Sequence, residues 1–366
     1  MTTIPAILLL TALGFVAIAF FISFAITPLS IIIAKRANAL DVPLDDRRMH
    51  KTPIPRLGGI ALFVSFTIGV LILNNLIAAG YIADTSLAEI AKGPTVLEKL
   101  NAVLISGTII FIIGLIDDLK NTRARVKLAG QIAAAVVAFA LGVRIPAVGL
   151  FGWQFADGTG GDIFISFVIT IIWIVAITNM INLIDGLDGL AAGVAGIASL
   201  AIAYTAYLHG YTTAAFAMVI LAGAAFGFLP FNFFPAKVFM GDCGAMFLGF
   251  AIATVSIISP AKSATIVAII APVLVLGVPA FDVLFAMIRR RLRRQSVFEA
   301  DKGHLHHHLT RIGMGQRRSA LMLYGVSGIM GIAAIVFSRD LYLEAISLFL
   351  IAILFIVVLI WSWNKE

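Results

Sequence analysis

The chain has 366 residues, of which 61% are hydrophobic and only 12% are charged, and its formal net charge is +7. A soluble domain carries about 25% charged residues, so the composition excludes an ordinary soluble enzyme and indicates a polytopic membrane protein. In such a protein an excess of Lys and Arg is typical of inner loops, and we expect no nucleic-acid partner. The single cysteine, Cys243, excludes an intramolecular disulfide.

Long apolar stretches predict about eleven transmembrane helices, because one span needs about 20 apolar residues. We therefore expect an all-α fold and a single integral membrane catalytic domain over residues 1–366. The N-terminal "MTTIPAILLL" is interpreted as the start of the first span. The predicted spans are 6–34, 57–78, 101–117, 126–143, 163–184, 188–208, 213–232, 244–260, 264–288, 319–337 and 341–363.

The basic residues predict the orientation of these spans. If the N-terminus is outside, 21 of the 26 Lys and Arg fall in inner segments and only five fall in outer segments. By the positive-inside rule this distribution predicts an N-out, C-in protein with its functional loops in the cytoplasm.

The aspartates gather on the same inner side, at helix ends or in loops. A transporter usually places ionisable groups near the middle of the membrane. Here the polar chemistry lies where a soluble substrate meets a lipid, which favours an enzyme. The residues concerned are Asp41, Asp45, Asp46, Asp117, Asp118, Asp185, Asp188, Asp242 and Asp301.

The stretch "GLIDDLKN" (114–121) ends an apolar span with the adjacent carboxylates of Asp117 and Asp118. Adjacent carboxylates repel each other unless a cation neutralises them. Oxygen ligands at a helix end suit Mg²⁺, which keeps waters and bridges phosphates. A solvated helix terminus is the alternative, although an Asp there opposes the helix dipole.

The stretch "NMINLIDGLDGLAAG" (179–193) places Asn179, Asn182, Asp185 and Asp188 at intervals of three residues. Gly186 allows the backbone to approach whatever the acids hold. Unpaired amides and carboxylates on apolar flanks are costly, so the pattern favours a binding site over a simple polar turn.

The stretch "NFFPAKVFMGDCG" (232–244) adds Asp242 between glycines, with Phe239 three residues before it. An aromatic ring beside this turn can stack on a nucleobase. Alone the signal is weak, because Phe in a membrane protein usually faces lipid.

The stretch "DKGHLHHHL" (301–309) contains His304, His306, His307 and His308 inside a loop with nine basic residues. Imidazoles beside arginines can donate hydrogen bonds to phosphate oxygens. A structural polar loop and a zinc-type metal site remain alternatives, but consecutive histidines cannot all reach one ion.

These stretches together resemble the polyprenyl-phosphate N-acetylhexosamine-1-phosphate transferases, glycosyltransferase family 4. Five motifs carry the resemblance in order: "LDVPLDDRRMHKTPIPRLGGIALF", "DDLKN", "NMINLIDGLDGL", "FMGDCGAMFLGF" and "DKGHLHHHL". The His loop looks like the branch that starts teichoic acid, O-antigen (lipopolysaccharide) or related cell-wall glycans. It looks less like the branch that transfers MurNAc-pentapeptide.

The resemblance implies an enzyme of the cytoplasmic (inner) membrane with its active site facing the cytoplasm. Such a phosphotransferase joins N-acetylglucosamine-1-phosphate from UDP-GlcNAc to undecaprenyl phosphate and releases UMP. It implies Mg²⁺ as cofactor, with Mn²⁺ as a substitute, and a homodimer is compatible with it. Another UDP-HexNAc donor stays open, as does an aspartyl-phosphosugar intermediate in place of one direct displacement.

The resemblance also implies roles for individual residues. Asp117 and Asp118 act on the lipid phosphate, with Asp185 and His306 as further catalytic residues. Asp242, Asn182 and Asp117 are the implied metal ligands. Substrate binding is implied for Asn179, and uridine binding for Gly186, Asp188, Asn232 and Phe239. Phosphate binding is implied for Lys127, His306, His307 and His308. Two positions depart from the family pattern: Asn121 replaces a third acid, and Ala245 replaces a Ser.

Two other classes fit less well. The CDP-alcohol phosphotransferases need an Arg shortly after the first Asp-Gly pair, which "DGLDGLAAG" lacks. A sugar-lipid transporter predicts charges at the midplane and paired repeats, and it would release no UMP.

Overall fold

The computed structural model describes residues 6–42, 53–82, 95–145, 160–258 and 315–363. These ranges contain ten helices and one antiparallel ladder of two short strands. In chain order they are α1 (Ala6–Arg36), β1 (Leu40–Asp41), β2 (Ile54–Pro55), α2 (Gly59–Ala78), α3 (Val96–Lys120), α4 (Ala124–Ala140), α5 (Gly160–Ile184), α6 (Leu190–Leu208), α7 (Thr212–Asn232), α8 (Gly241–Ile258), α9 (Gly315–Phe337) and α10 (Tyr342–Trp363).

Ten of the eleven predicted spans coincide with a helix to within a few residues, and the eleventh, 264–288, lies outside the described residues. Eight helices of the described ranges are long and apolar enough to cross a membrane. Helix α4 is shorter, with 17 residues. The prediction of an all-helical polytopic membrane protein is confirmed, while the count of eleven and the orientation stay predictions.

Helix α8 lies at the centre of the bundle. In its most apolar 18-residue window 89% of the residues are buried, against 17% for α1. It packs against α3, α5 and α2, and the α6–α7 pair lies beside it. The helix that begins beside Asp242 is therefore held in place by several other helices.

Helices α1 and α7 approach each other closely because α7 carries glycines at the contact. A Cβ at Gly227 would lie 2.2 Å from the backbone oxygen of Phe20, and one at Gly223 would lie 2.5 Å from that of Val16. Small residues at such a crossing let two membrane helices pack backbone to backbone.

A backbone clamp holds the start of α2 against the start of α8. The amide of Phe239 donates to the carbonyl of Pro55 (2.7 Å), and the amides of Gly58 and Gly59 donate to the carbonyls of Phe239 (3.0 Å) and Met240 (2.8 Å). The motif residues at the beginning of α2 and before α8 therefore meet at one end of the bundle.

Candidate active site

Three helix ends bring one basic and three acidic side chains together. Asp117 and Asp118 lie in the last turn of α3, Lys127 lies in the first turn of α4, and Asp242 lies in the first turn of α8. The sequence placed Asp242 in a turn between two spans. The helix already includes it, because Asp118 satisfies amides at its beginning.

Asp117 has a fixed side chain with one oxygen directed at the other charged groups. It is 8% exposed. Its Oδ1 accepts from the backbone N–H (2.8 Å) and from the hydroxyl (2.6 Å) of Thr122. Its Oδ2 lies 3.3 Å from Nζ of Lys127. Thr122 therefore determines which oxygen of Asp117 is presented to a cation.

Lys127 bridges two carboxylates that are 125 residues apart in sequence. Its Nζ lies 2.6 Å from Oδ2 of Asp242, in addition to its contact with Asp117. One ammonium thus partly neutralises two carboxylates. The sequence indicated that a cation must balance the adjacent acids Asp117 and Asp118. The structure instead joins Asp117 to Asp242 through Lys127.

Asp118 differs from its neighbour because both of its oxygens are used by backbone amides. It is 3% exposed, and its Oδ1 and Oδ2 accept from the N–H groups of Asp242 (2.8 Å) and Cys243 (3.0 Å). A carboxylate is stabilised at a helix N-terminus by the unpaired amides and the helix dipole. The alternative of a solvated helix terminus is wrong, because both aspartates are buried and bonded.

The turn between α5 and α6 carries Asp185, exposed Gly186 and Asp188. Burial, together with the nearby negative charges of Asp242, Asp118 and Asp188, raises the pKa of Asp185 to about 7. This electrostatic coupling places Asp185 beside the acids of α3 and α8.

Asp188 connects this turn to the segment before α8. Its Oδ2 accepts from the backbone N–H of Ala236 at 2.9 Å. On the other side of the turn, the hydroxyl of Tyr324 in α9 donates to the carbonyl of Gly189 at 2.6 Å. The turn is thus held from two directions.

The two asparagines of α5 have different surroundings. Asn179 exchanges hydrogen bonds with Gln131 of α4 (2.6 and 3.2 Å) and donates to the carbonyl of Val175 (2.8 Å). Asn182 lies in the last turn of α5 and is partly exposed. Asn179 therefore joins two helices, while Asn182 lies near the acids of the turn.

The two residues assigned to uridine near α8 lie on either side of one loop. Asn232 is 2% exposed, and its Nδ2 donates to the carbonyl of Val238 at 3.0 Å. Phe239 is half-buried, and its backbone takes part in the clamp with α2. Asn232 supports the loop from below, and Phe239 lies nearer its surface.

Several predicted site residues lie outside the described residues: Asp45, Asp46, Asp301, His304, His306, His307 and His308. The roles predicted for the histidines stay predictions.

Sequence reasoning missed Thr122, Arg56 and Gln131. Thr122 follows the acids by a few residues, and its hydroxyl was a usable signal, since Thr commonly bonds nearby backbone or side-chain groups. Arg56 and Gln131 act over 62 and 48 residues of sequence, so their partners had no local signal.

The donor atoms fit a divalent cation with few protein ligands. The described residues form no group of three or more His, Cys, Asp or Glu side chains that could hold a metal ion. However, Oδ2 of Asp117 and Oδ2 of Asp242 converge on one cationic group. Mg²⁺ is usually bound by one or two carboxylates, with waters and substrate phosphates completing its shell. Asp118 does not fit as a ligand, because both of its oxygens are occupied.

Comparison with known proteins shows the family of the chain. Residues 100–260, which contain all the acids just described, match the family model described as Glycosyl transferase family 4. The chain is 36% identical over 334 residues to the "Probable undecaprenyl-phosphate N-acetylglucosaminyl 1-phosphate transferase" of Bacillus subtilis, covering 90% of this chain and 86% of that protein.

Two further relatives have similar names. The decaprenyl-phosphate N-acetylglucosaminephosphotransferase of Mycobacterium tuberculosis is 36% identical, over 82% of this chain and 76% of its own. The undecaprenyl-phosphate alpha-N-acetylglucosaminyl 1-phosphate transferase of Thermotoga maritima is 28% identical, over 84% of each chain. With its helices, its clustered acids and this coverage, the chain belongs to the polyprenyl-phosphate N-acetylhexosamine-1-phosphate transferase superfamily.

Proposed function

We propose that the protein transfers N-acetylglucosamine-1-phosphate from UDP-GlcNAc to undecaprenyl phosphate, forming undecaprenyl-diphospho-GlcNAc and releasing UMP. This reaction is the first lipid-linked step of a cell-wall or surface glycan, such as a teichoic acid or a lipopolysaccharide. One observation carries the proposal: in a member of this superfamily, Asp117, Asp242 and Lys127 converge at one end of the helical bundle.

The proposed membrane arrangement has eleven spans and one catalytic domain over residues 1–366. The N-terminus is outside, the C-terminus is inside, and the site faces the cytoplasm. The excess of Lys and Arg in the inner segments supports this orientation. It also gives UDP-GlcNAc access from the cytosol and the lipid phosphate access from the membrane.

In the proposed reaction an oxygen of the lipid phosphate attacks the β-phosphorus of UDP-GlcNAc. The bond from this phosphorus to the bridging oxygen breaks, and UMP leaves with the electron pair. Phosphoryl transfer depends mainly on charge neutralisation and alignment, so a single displacement suffices. Asp117 orients the lipid phosphate, and Lys127, which already lies between two carboxylates, compensates the charge that develops on the diphosphate.

A bound Mg²⁺, or Mn²⁺ in its place, supplies charge neutralisation on the diphosphate oxygens. Asp117 and Asp242 would hold it, with Asn182 as the third ligand. Asp185 and His306 complete the proposed catalytic set, and His307 and His308 bind phosphate.

The uridine side of the site is proposed to lie along the loop before α8. Gly186 and Phe239 contact the nucleoside, and Asp188 supports them through Ala236. Asn179 and Asn232 shape the site from within, since they bond to Gln131 and Val238.

The test is a reconstitution with purified protein in detergent, undecaprenyl phosphate, Mg²⁺ and UDP-GlcNAc. We expect UMP and a lipid-extractable sugar in equal amounts, dependent on both lipid and metal. Asp117→Asn is expected to abolish both products, and Arg125→Gln, at an exposed position, serves as the control.

Other outcomes separate the alternatives. Turnover with UDP-GalNAc but not UDP-GlcNAc would keep the reaction class and change the sugar. Labelled sugar-phosphate trapped on the protein without lipid would replace the single displacement by a covalent route. Folded protein that releases no UMP from any UDP-HexNAc would refute the proposal.

A further inference from the structure

The segment between β2 and α2 contacts the end of α3, which carries Asp117, and the beginning of α8, which carries Asp242. Its backbone is clamped to the residues directly before α8, through Pro55, Gly58 and Gly59. The carbonyl of Arg56 packs against Gly241, where an added Cβ would lie 2.1 Å from it. Gly241 has a φ of +71°, so this close approach requires glycine. The main chain at Arg56 is therefore fixed to the beginning of α8.

The side chain of Arg56 reaches the other helix end. Its Nε and Nη2 donate to the carbonyl of Asp118, at 2.9 and 2.5 Å. Its Nη2 also donates to Oδ1 of Asn121 at 2.8 Å. Asn121 ends α3 in the left-handed conformation, with a φ of 48°, and its N–H donates to the carbonyl of Asp117.

These contacts suit both the carbonyl groups at the end of α3 and the guanidinium group of Arg56. The last carbonyls of a helix have no partner within the helix, and a cation is stabilised at that end by the dipole. The planar guanidinium presents several donors in one fixed arrangement, which an ammonium does not. Asp118 is thus held at its carbonyl by Arg56 and at its carboxylate by the amides of α8.

We propose that Arg56 is a positioning residue that sets the separation between Asp117 on α3 and Asp242 on α8. Arg56 joins the two helix ends, its main chain to α8 and its side chain to α3. Asn121, at the position of a third acid in some family members, serves as a hydrogen-bond partner of Arg56. This inference rests on the proposed function, because it assigns these two carboxylates to one cation site.

The rival interpretation is that Arg56 binds a substrate phosphate directly, and the test separates the two. The full-length variants Arg56→Gln, Arg56→Lys and Asn121→Gly are compared with the wild type and with Arg125→Gln. Asn121→Gly removes only the side-chain acceptor, since glycine keeps the left-handed backbone. The first measurement is Mn²⁺ binding without substrates, followed by electron paramagnetic resonance. The second is kcat and KM for UDP-GlcNAc with undecaprenyl phosphate.

Removing a partner that orients metal ligands typically lowers metal affinity or activity by about 10- to 100-fold. We expect Arg56→Gln to weaken Mn²⁺ binding and to lower kcat within this range, with KM for UDP-GlcNAc unchanged. Arg56→Lys should regain part of both losses, and Asn121→Gly should show the same pattern with a smaller loss. Adding Asn121→Gly to Arg56→Gln should weaken Mn²⁺ binding no further, because the two side chains form one contact.

Unchanged Mn²⁺ affinity in Arg56→Gln, with a raised KM for either substrate, would overturn the inference in favour of direct phosphate binding. If Arg56→Gln does not fold, Arg56→Lys and Asn121→Gly decide the matter by the same two measurements. Wild-type protein that binds Mn²⁺ but releases no UMP from any UDP-HexNAc would refute the proposed function, and the comparison of Mn²⁺ affinities would still stand. Wild-type protein that binds no Mn²⁺ would overturn the inference itself.

Discussion

The adjacent aspartates of α3 should respond differently to the same isosteric substitution. In Asp118→Asn the amide keeps one acceptor, but its NH₂ group faces a backbone N–H donor at the beginning of α8. In Asp117→Asn the retained carbonyl can still accept both bonds from Thr122. We therefore expect Asp118→Asn to loosen α8 and Asp117→Asn to leave it in place.

The magnitude follows from the number of bonds lost. A hydrogen bond to a charged group contributes about 1.5–3 kcal/mol, and Asp118→Asn removes at least one. If local opening of α8 becomes easier by this amount, the open state becomes about 10- to 150-fold more populated at 25 °C. In Asp117→Asn the opening should stay within about twofold of the wild type.

The protein contains its own reporter for this opening. Cys243 is the only cysteine, it is fully buried, and its backbone N–H donates to Asp118. Its rate of reaction with a maleimide in detergent, under conditions where folding is intact, measures access to the start of α8. Both variants should lose transferase activity, so only the labelling rate separates them.

Equal labelling rates in the two variants would refute this reasoning. Slow labelling in Asp118→Asn would mean that α8 does not depend on this carboxylate. Fast labelling in Asp117→Asn would mean that the aspartates share one structural role.

Three further predictions concern other parts of the molecule. Gly227→Ala should lower the free energy of unfolding by about 1–3 kcal/mol and lower the thermal midpoint, because the added methyl meets a carbonyl of α1. The control Gly14→Ala adds a methyl with no atom within 4 Å, so it should lower neither quantity. For Asp185, the raised pKa means that the folded state holds its proton more tightly, so metal-free stability should fall as pH rises from about 4 to 7. The thermal midpoint of Asp185→Asn should fall less steeply than that of the wild type over this range, and equal pH slopes would contradict the assignment. Thr122→Val should lower kcat by roughly tenfold, because Asp117 loses the hydroxyl that orients it, and should leave KM for UDP-GlcNAc unchanged. Thr122→Ser keeps the hydroxyl and should restore kcat. A Ser variant as slow as the Val variant would exclude a role for the hydroxyl contact.

The sequence predicted the helices well because long apolar runs are strong signals. The spans at 188–208 and 213–232 became α6 and α7 with boundaries within two residues. It also predicted that the acids meet, since the aspartate motifs fall at the ends of predicted spans on the same predicted side of the membrane.

The sequence could not separate the roles of Asp117 and Asp118. Successive side chains on a helix point about 100° apart, so one faces Lys127 and the other faces α8. Which residue faces which neighbour depends on packing between helices, and that is not encoded within the motif. The same limit applies to Asn232, which the sequence assigned to uridine and the structure buries beneath a loop.

The spacing of the charged partners along the chain has a consequence for biogenesis. Asp117 finds Thr122 and Lys127 within the α3–α4 hairpin, so its charge is balanced as soon as that hairpin has been synthesised. Asp118 and Asp242 obtain their partners only when α8 emerges from the ribosome, more than 100 residues later. In the nascent chain Asp117 is thus already paired with Lys127, whereas the carboxylate of Asp118 gains its partners only with α8. The arrival of α8 is therefore the step at which the site is assembled.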